Sequence, residues 1–156
     1  MVPKSFFVVK GKGISYTSMV NAFDAALIDS GLGNVNIVPV SSIIPGWIQE
    51  IPAKKIEDGS MVYSVLSKAT GVSGEKISTG LIWGWGRNSD SKLGFVVTAQ
   101  QSFIDDNTLA ALLEEKIREM STNRKMELTS FKTIIESLEV PHGSYGCVIV
   151  VFIYVF

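Results

Sequence analysis

The sequence predicts an α+β protein in which two main helices pack on mostly antiparallel sheets. Two stretches, one ending near Ser30 and one near Ser121, repeat apolar residues at helical spacing behind a capping side chain. About seven other stretches are rich in β-branched and aromatic residues and are bounded by Gly, Ser or Pro. Two helices among that many strands, in this order, suit helices lying on sheets.

Taken in order, Ser5–Val9 (SFFVV) predicts a first strand, ending at Gly11 and Gly13 in a flexible turn. Thr17 or Ser18 caps a helix to about Ser30, with Met19, Phe23, Ala26 and Leu27 on its apolar face and Gly31 and Gly33 stopping it. Asn34–Val40 alternates as a half-buried strand does, and Pro39 places its end at an edge or irregularity. Ser41 and Ser42 follow, then Ile43-Ile44-Pro45-Gly46 as a turn and Gln49–Gly59 as a loop. Three strands are expected at Met61–Ala69, Lys76–Trp85 and Leu93–Gln101. Asp105 or Asp106 caps the second helix, whose apolar face is Leu109, Leu112, Leu113, Ile117 and Met120. A further strand falls within Lys125–Val140, and Tyr145–Phe156 is the last. With no repeat, low-complexity tract or linker, residues 1–156 read as one domain.

The chain is 46% hydrophobic and only 19% charged, against about 25% charged in an average globular chain. Its mean hydropathy is +0.29. So few charges cover a small surface poorly, which predicts self-association. A net charge of −1 offers no positive field to nucleic acid or acidic lipid. One cysteine, Cys147, excludes an intrachain disulfide and a multi-Cys zinc site, and a lone thiol suits a reducing cytoplasm. The wholly apolar run Cys147–Phe156 has ten residues, half of the about twenty that a membrane helix needs. It reads as a buried strand. The apolar run near the N-terminus is too short for a secretory signal. A soluble, cytoplasmic protein is expected.

Chemistry-bearing residues are few. Gly11 and Gly13 precede no Gly-Lys-Ser/Thr, so they read as a turn and not a phosphate loop. His142 is the only histidine, which excludes a His-based metal cluster, and its Pro-His-Gly-Ser context reads as a surface turn. Cys147 reads as a small hydrophobe. Trp47, Trp83 and Trp85 read as core or interface packing, with a ligand wall as the alternative. Asn21 and Asp24 share one side of the first helix, where Asp24, beside Phe23, either lies against the core and binds a cation or is solvated. Asn34 and Asn36 alternate on their strand, so both amides share a face just ahead of two serines and suggest a polar pocket.

Residues 21–45 are more specific. NAFDAALIDSGLGNVNIVPVSSIIP strongly resembles the pyruvoyl-dependent arginine decarboxylases, with their Asn-Ala-Phe-Asp helix, Gly-Asn-Val-Asn strand and Ser-Ser-Ile before proline. Looser matches follow in order: Val72-Ser73-Gly74-Glu75, Gly94 opening a hydrophobic strand, a helix near Glu115–Met120, and Tyr145-Gly146-Cys147.

The resemblance implies a layered α/β sandwich of αββα type, assembled as a homotrimer and sometimes as a hexamer. It implies autocatalytic cleavage between Ser41 and Ser42, giving a β chain, 1–41, and an α chain, 42–156. Ser42 Oγ attacks the Ser41 carbonyl, β-elimination opens the ester, and hydrolysis leaves a pyruvoyl group at residue 42 with loss of ammonia. That covalent cofactor forms a Schiff base with arginine and accepts electrons as CO₂ leaves, yielding agmatine for polyamine synthesis. Asn36 matches an asparagine that the family uses at the cleavage, where a neutral amide suits an oxyanion. Asp24 matches the aspartate that binds the guanidinium across a subunit boundary, a planar cation that a carboxylate fits well, and Leu27 lines the same pocket. Thr98 occupies the position of the family's glutamate proton donor, and threonine is a far weaker acid. Two alternatives therefore stand beside the arginine decarboxylase: a non-catalytic binding or regulatory subunit that keeps the fold, and a pyruvoyl decarboxylase for another amine-bearing acid.

Overall fold

The computed structural model describes residues 1–156. In order its elements are β1 (Ser5–Ser15), α1 (Met19–Asp29), β2 (Asn36–Pro39), β3 (Ile43–Pro45), β4 (Gln49–Glu50), β5 (Met61–Val72), β6 (Lys76–Arg87), β7 (Lys92–Ser102), α2 (Asp106–Asn123), β8 (Glu127–Glu139) and β9 (Tyr145–Val155). They form a five-stranded sheet, β2-β5-β9-β1-β4, and a four-stranded sheet, β3-β7-β6-β8.

The apolar C-terminal run explains the layering. β9 lies in the middle of the larger sheet, antiparallel to β1 and β5. Successive strand side chains point to opposite faces. Val150, Phe152 and Tyr154 therefore enter a core shared with Phe6, Trp83 and Val96, between the two sheets. Cys147, Ile149, Val151 and Ile153 enter a second core, under Ala22 and Ala26 of α1. A strand buried on both faces has no position left for an unpartnered polar side chain, hence the apolar sequence. On the far side, Leu109, Leu113 and Ile117 of α2 pack on Ile82 and Phe95 of the smaller sheet. The layers run α1, five strands, four strands, α2.

Both helices start as expected. Ser18 Oγ accepts from Asn21 N–H at 3.2 Å, and Asp105 Oδ1 accepts from Thr108 N–H at 2.8 Å, each satisfying an otherwise free helical donor. Four expectations are corrected. Gly11 and Gly13 do not end β1, which continues to Ser15. Their role is close approach, because a Cβ on Gly11 would strike the Ala26 carbonyl and one on Gly13 the Ala22 carbonyl of α1. Ile43–Pro45 is a short strand, not a turn, since Ile43 and Ile44 pair with Phe95 and Gly94. Gln49–Glu50 opens the expected loop with a parallel pairing to β1. Asn34 lies in a turn ahead of β2, so it does not alternate with Asn36 on a strand. The sheets are antiparallel except for the β1–β4 and β2–β5 pairs.

Candidate functional site

β2 and β3 are edge strands of different sheets, so residues 40–42 carry the chain from one sheet to the other. Hydrogen bonds hold this crossing on both flanks. Upstream, Val40 N–H donates to the Ser64 carbonyl at 2.9 Å. Downstream, Val96 N–H donates to the Ser42 carbonyl at 2.9 Å, and Tyr154 Oη donates to the Ile43 carbonyl at 2.9 Å. Between these anchors, the Ser41 N–H and carbonyl and the Ser42 N–H make no hydrogen bond within the chain. Ser41 is exposed and Ser42 half-buried. A cleft of about 270 Å³ lies against the crossing, lined by Val40, Ser41, Ile43, Tyr63, Tyr154 and Phe156.

The other predicted site residues are not gathered at Ser42 within the chain. The Asn36 amide donates to the Gly59 carbonyl at 3.0 Å, and Asn34 donates to Asp58 at 3.1 Å. Both amides therefore close the 58–59 turn, and do not form a pocket at the serines. Asn36 also stands at the opposite end of β2, about 13 Å from Val40 at the usual strand rise. Thr98 is half-buried on β7. By strand alternation it shares the inter-sheet face with Val96, about 7 Å further along. Its carbonyl accepts from Lys116 Nζ at 3.1 Å, and β7 carries no carboxylate.

Asp24 is exposed on the outer side of α1 and has no hydrogen-bond or ion-pair partner, so it does not lie against the core. One turn away on either side are Val20 and Ile28, apolar yet 76% and 63% exposed. Leu27 is half-buried and packs into the α1–sheet core. The five-stranded sheet separates α1 from the inter-sheet core, so Asp24 and the inter-sheet gap lie on opposite faces of that sheet.

Trp83 is buried, edge-on to Phe6 with centroids 6.3 Å apart, whereas Trp47 is 74% exposed and shares an outer cleft with Trp85. The three do not form one wall. Burial pushes the Cys147 thiol up to about 11, with the Lys68 charge opposing, so it stays protonated and inert. His142 lies in an exposed turn, where Nδ1 meets Ser73 Oγ at 2.9 Å. Tyr154 is the contact that sequence reading passed over. Its signal was available: a hydroxyl inside an apolar buried strand needs a partner. Burial raises this phenol to about 12. No three His, Cys, Asp or Glu side chains gather as a metal site, and no helix is long and apolar enough to cross a membrane.

Comparison with known proteins gives these positions a context. A pyruvoyl-dependent arginine decarboxylase of Methanopyrus kandleri is 34% identical over 138 residues, 88% of this chain and 87% of the relative. Enzymes of the same name from Methanococcus vannielii and Methanococcus aeolicus are 36% and 38% identical, over 51% and 49% of this chain and 48% and 46% of theirs. The family model described as pyruvoyl-dependent arginine decarboxylase matches residues 5–156, which include the Ser41–Ser42 crossing and both helices. The chain therefore belongs to the pyruvoyl-dependent arginine decarboxylase family.

Proposed function

We propose that this protein is a self-processing decarboxylase that converts L-arginine to agmatine and CO₂. The observation that carries the proposal is the Ser41–Ser42 peptide, held on both flanks and free in the middle. Ser42 Oγ is tethered to the peptide carbon that it attacks, so closure is intramolecular and gains from proximity. Attack on the Ser41 carbonyl carbon and loss of the Ser42 nitrogen turn the amide into an ester. Removal of the Ser42 α-proton expels the Ser41 carboxylate, leaving dehydroalanine, and water converts its tautomer to a ketone with release of ammonia. The flanking bonds hold position while this one link changes.

The residues present fit the resulting pyruvoyl group. It arises from Ser42 itself, the Val96 and Tyr154 bonds fix its C-terminal side, and the new Ser41 carboxylate ends in an exposed position. Once formed, the group supplies a ketone for the substrate amine and an electron sink as CO₂ departs. The chains 1–41 and 42–156 stay together, because β1 pairs with β9 from Ser5–Val155 to Ser15–Tyr145.

Asp24 binds the arginine guanidinium as a bidentate carboxylate. Because its helix lies across the larger sheet from the inter-sheet gap, it serves the site of a neighbouring copy, and Leu27 lines the same pocket. Asn36, at the far end of β2, serves the oxyanion of a neighbouring copy in the same way. A homotrimer, alone or paired into a hexamer, provides these shared sites, supported by the exposed Val20 and Ile28 beside Asp24. The proton that replaces CO₂ comes from a stronger acid than the Thr98 hydroxyl. The buried, inert thiol suits a reducing cytoplasm.

Release of CO₂ from L-arginine by the cleaved protein tests this reading. Stoichiometric agmatine is expected. A fully cleaved protein that releases none from arginine, but some from another amino acid, contradicts the substrate assignment.

A further inference from the structure

We infer that Tyr154 is a positioning residue for the cleavage at Ser41–Ser42, an inference that rests on the processing reading above. Tyr154 stands on β9, the central strand of the larger sheet, with its ring edge-on to Phe152 at 5.1 Å. Its Oη reaches out of that core to the Ile43 carbonyl, 2.9 Å away. This carbonyl belongs to the residue directly after the nucleophile. The preceding carbonyl, of Ser42, is held by Val96 N–H at 2.9 Å.

Successive carbonyls of an extended chain point in opposite directions. The two bonds therefore grip residues 42 and 43 from opposite sides, one from β7 and one from β9, and stop the segment from turning about its own axis. Rotation about that axis is what would carry Ser42 Oγ away from the Ser41 carbonyl carbon. Attack needs the reacting atoms about 3 Å apart and aligned, so a hydroxyl that restricts the segment raises the fraction of attack-ready conformers. The source of the bond matters too. A buried residue of the central strand cannot drift with the surface loop that it holds, as an exposed side chain would. Tyr63 provides an internal control. It lines the same cleft and packs edge-on against Phe156 at 5.6 Å, yet makes no hydrogen bond to the crossing.

The test follows freshly made precursor by intact mass for wild type, Tyr154→Phe, Tyr63→Phe and Phe152→Leu, with thermal midpoints measured on each. Tyr154→Phe keeps the ring and loses the hydroxyl, and its cleavage should slow about five- to tenfold. Tyr63→Phe should cleave at the wild-type rate. Phe152→Leu should melt earlier without slowing cleavage. Hydroxylamine, which cuts esters, should not restore the Tyr154→Phe rate, because the defect precedes ester formation. If Tyr154→Phe does not fold, Tyr154→Met, which fills similar space without a donor, is read the same way. Wild-type cleavage by Tyr154→Phe, equal slowing by Phe152→Leu, or full rescue by hydroxylamine overturns the inference while leaving self-processing intact. A wild-type chain that never cleaves overturns the processing reading and this inference together.

Discussion

Val96 N–H holds the Ser42 carbonyl at 2.9 Å, whereas the Ser41 carbonyl, one residue upstream, has no donor in the chain. The interior strand β7 thus fixes the residue of the proposed nucleophile and leaves the carbonyl that it would attack free. Chemistry at a single peptide bond needs that asymmetry, since the link must change while its surroundings do not.

The exposed Asp24 carboxylate should matter for substrate and not for folding. Asp24→Ala removes no partner within the chain, so the thermal midpoint and the extent of cleavage should match wild type. The KM for arginine should rise about 10- to 100-fold, the usual worth of a charge-assisted pair. Steady-state kinetics on cleaved protein decides this. An unchanged KM removes Asp24 from the substrate site.

Thr98 faces the inter-sheet gap on the strand that holds Ser42. Thr98→Glu places a far stronger acid there and should raise kcat for arginine about tenfold or more, within the range of general acid catalysis. A correctly folded, cleaved variant with no gain in kcat would show that this position does not face the reacting carbon.

Gly13 should be intolerant of even one methyl group. A Cβ there would meet the Ala22 carbonyl and, at 2.7 Å, Ala25 Cβ. Gly13→Ala should push α1 off β1 and cost about 1–3 kcal/mol, as overpacking does. Urea denaturation measures it, and a midpoint equal to wild type would contradict the close packing.

Much of this fold could be read in the sequence because single-chain patterns encode it. Ser18 and Asp105 mark their helices through local capping chemistry, and Cys147–Phe156 declares a doubly buried strand. The misreadings share a cause. Gly11 and Gly13 look like a turn until α1 is seen to lie on them, and Ile43–Pro45 looks like a turn until β7 offers partners. Each depends on a neighbour distant in sequence. The site divides the same way. Ser41 and Ser42 stand out through the block around them, whereas Tyr154 reaches Ile43 across more than a hundred positions, and no local pattern encodes that contact.

Alkaline pH should destabilise the protein in a defined window. Burial raises Cys147 from 9.0 to about 11 and Tyr154 from 10.0 to about 12. The unfolded chain loses these protons first, so their contribution is complete below about pH 9 and is lost as pH rises through the folded values. Urea midpoints should fall between about pH 9 and pH 12, and Tyr154→Phe should flatten the upper part of that fall. A flat wild-type profile would contradict the burial of both groups.

The central claim is that the chain cuts itself between Ser41 and Ser42, and intact mass tests it most directly. Purified wild-type protein should resolve under denaturing conditions into residues 1–41 and 42–156, the larger chain blocked at its N-terminus by a pyruvoyl group. The two should co-elute under native conditions. Ser42→Ala should stay whole at 17.0 kDa. A wild-type chain that remains whole after prolonged incubation, or a Ser42→Ala chain that is cut at the same place, contradicts the account.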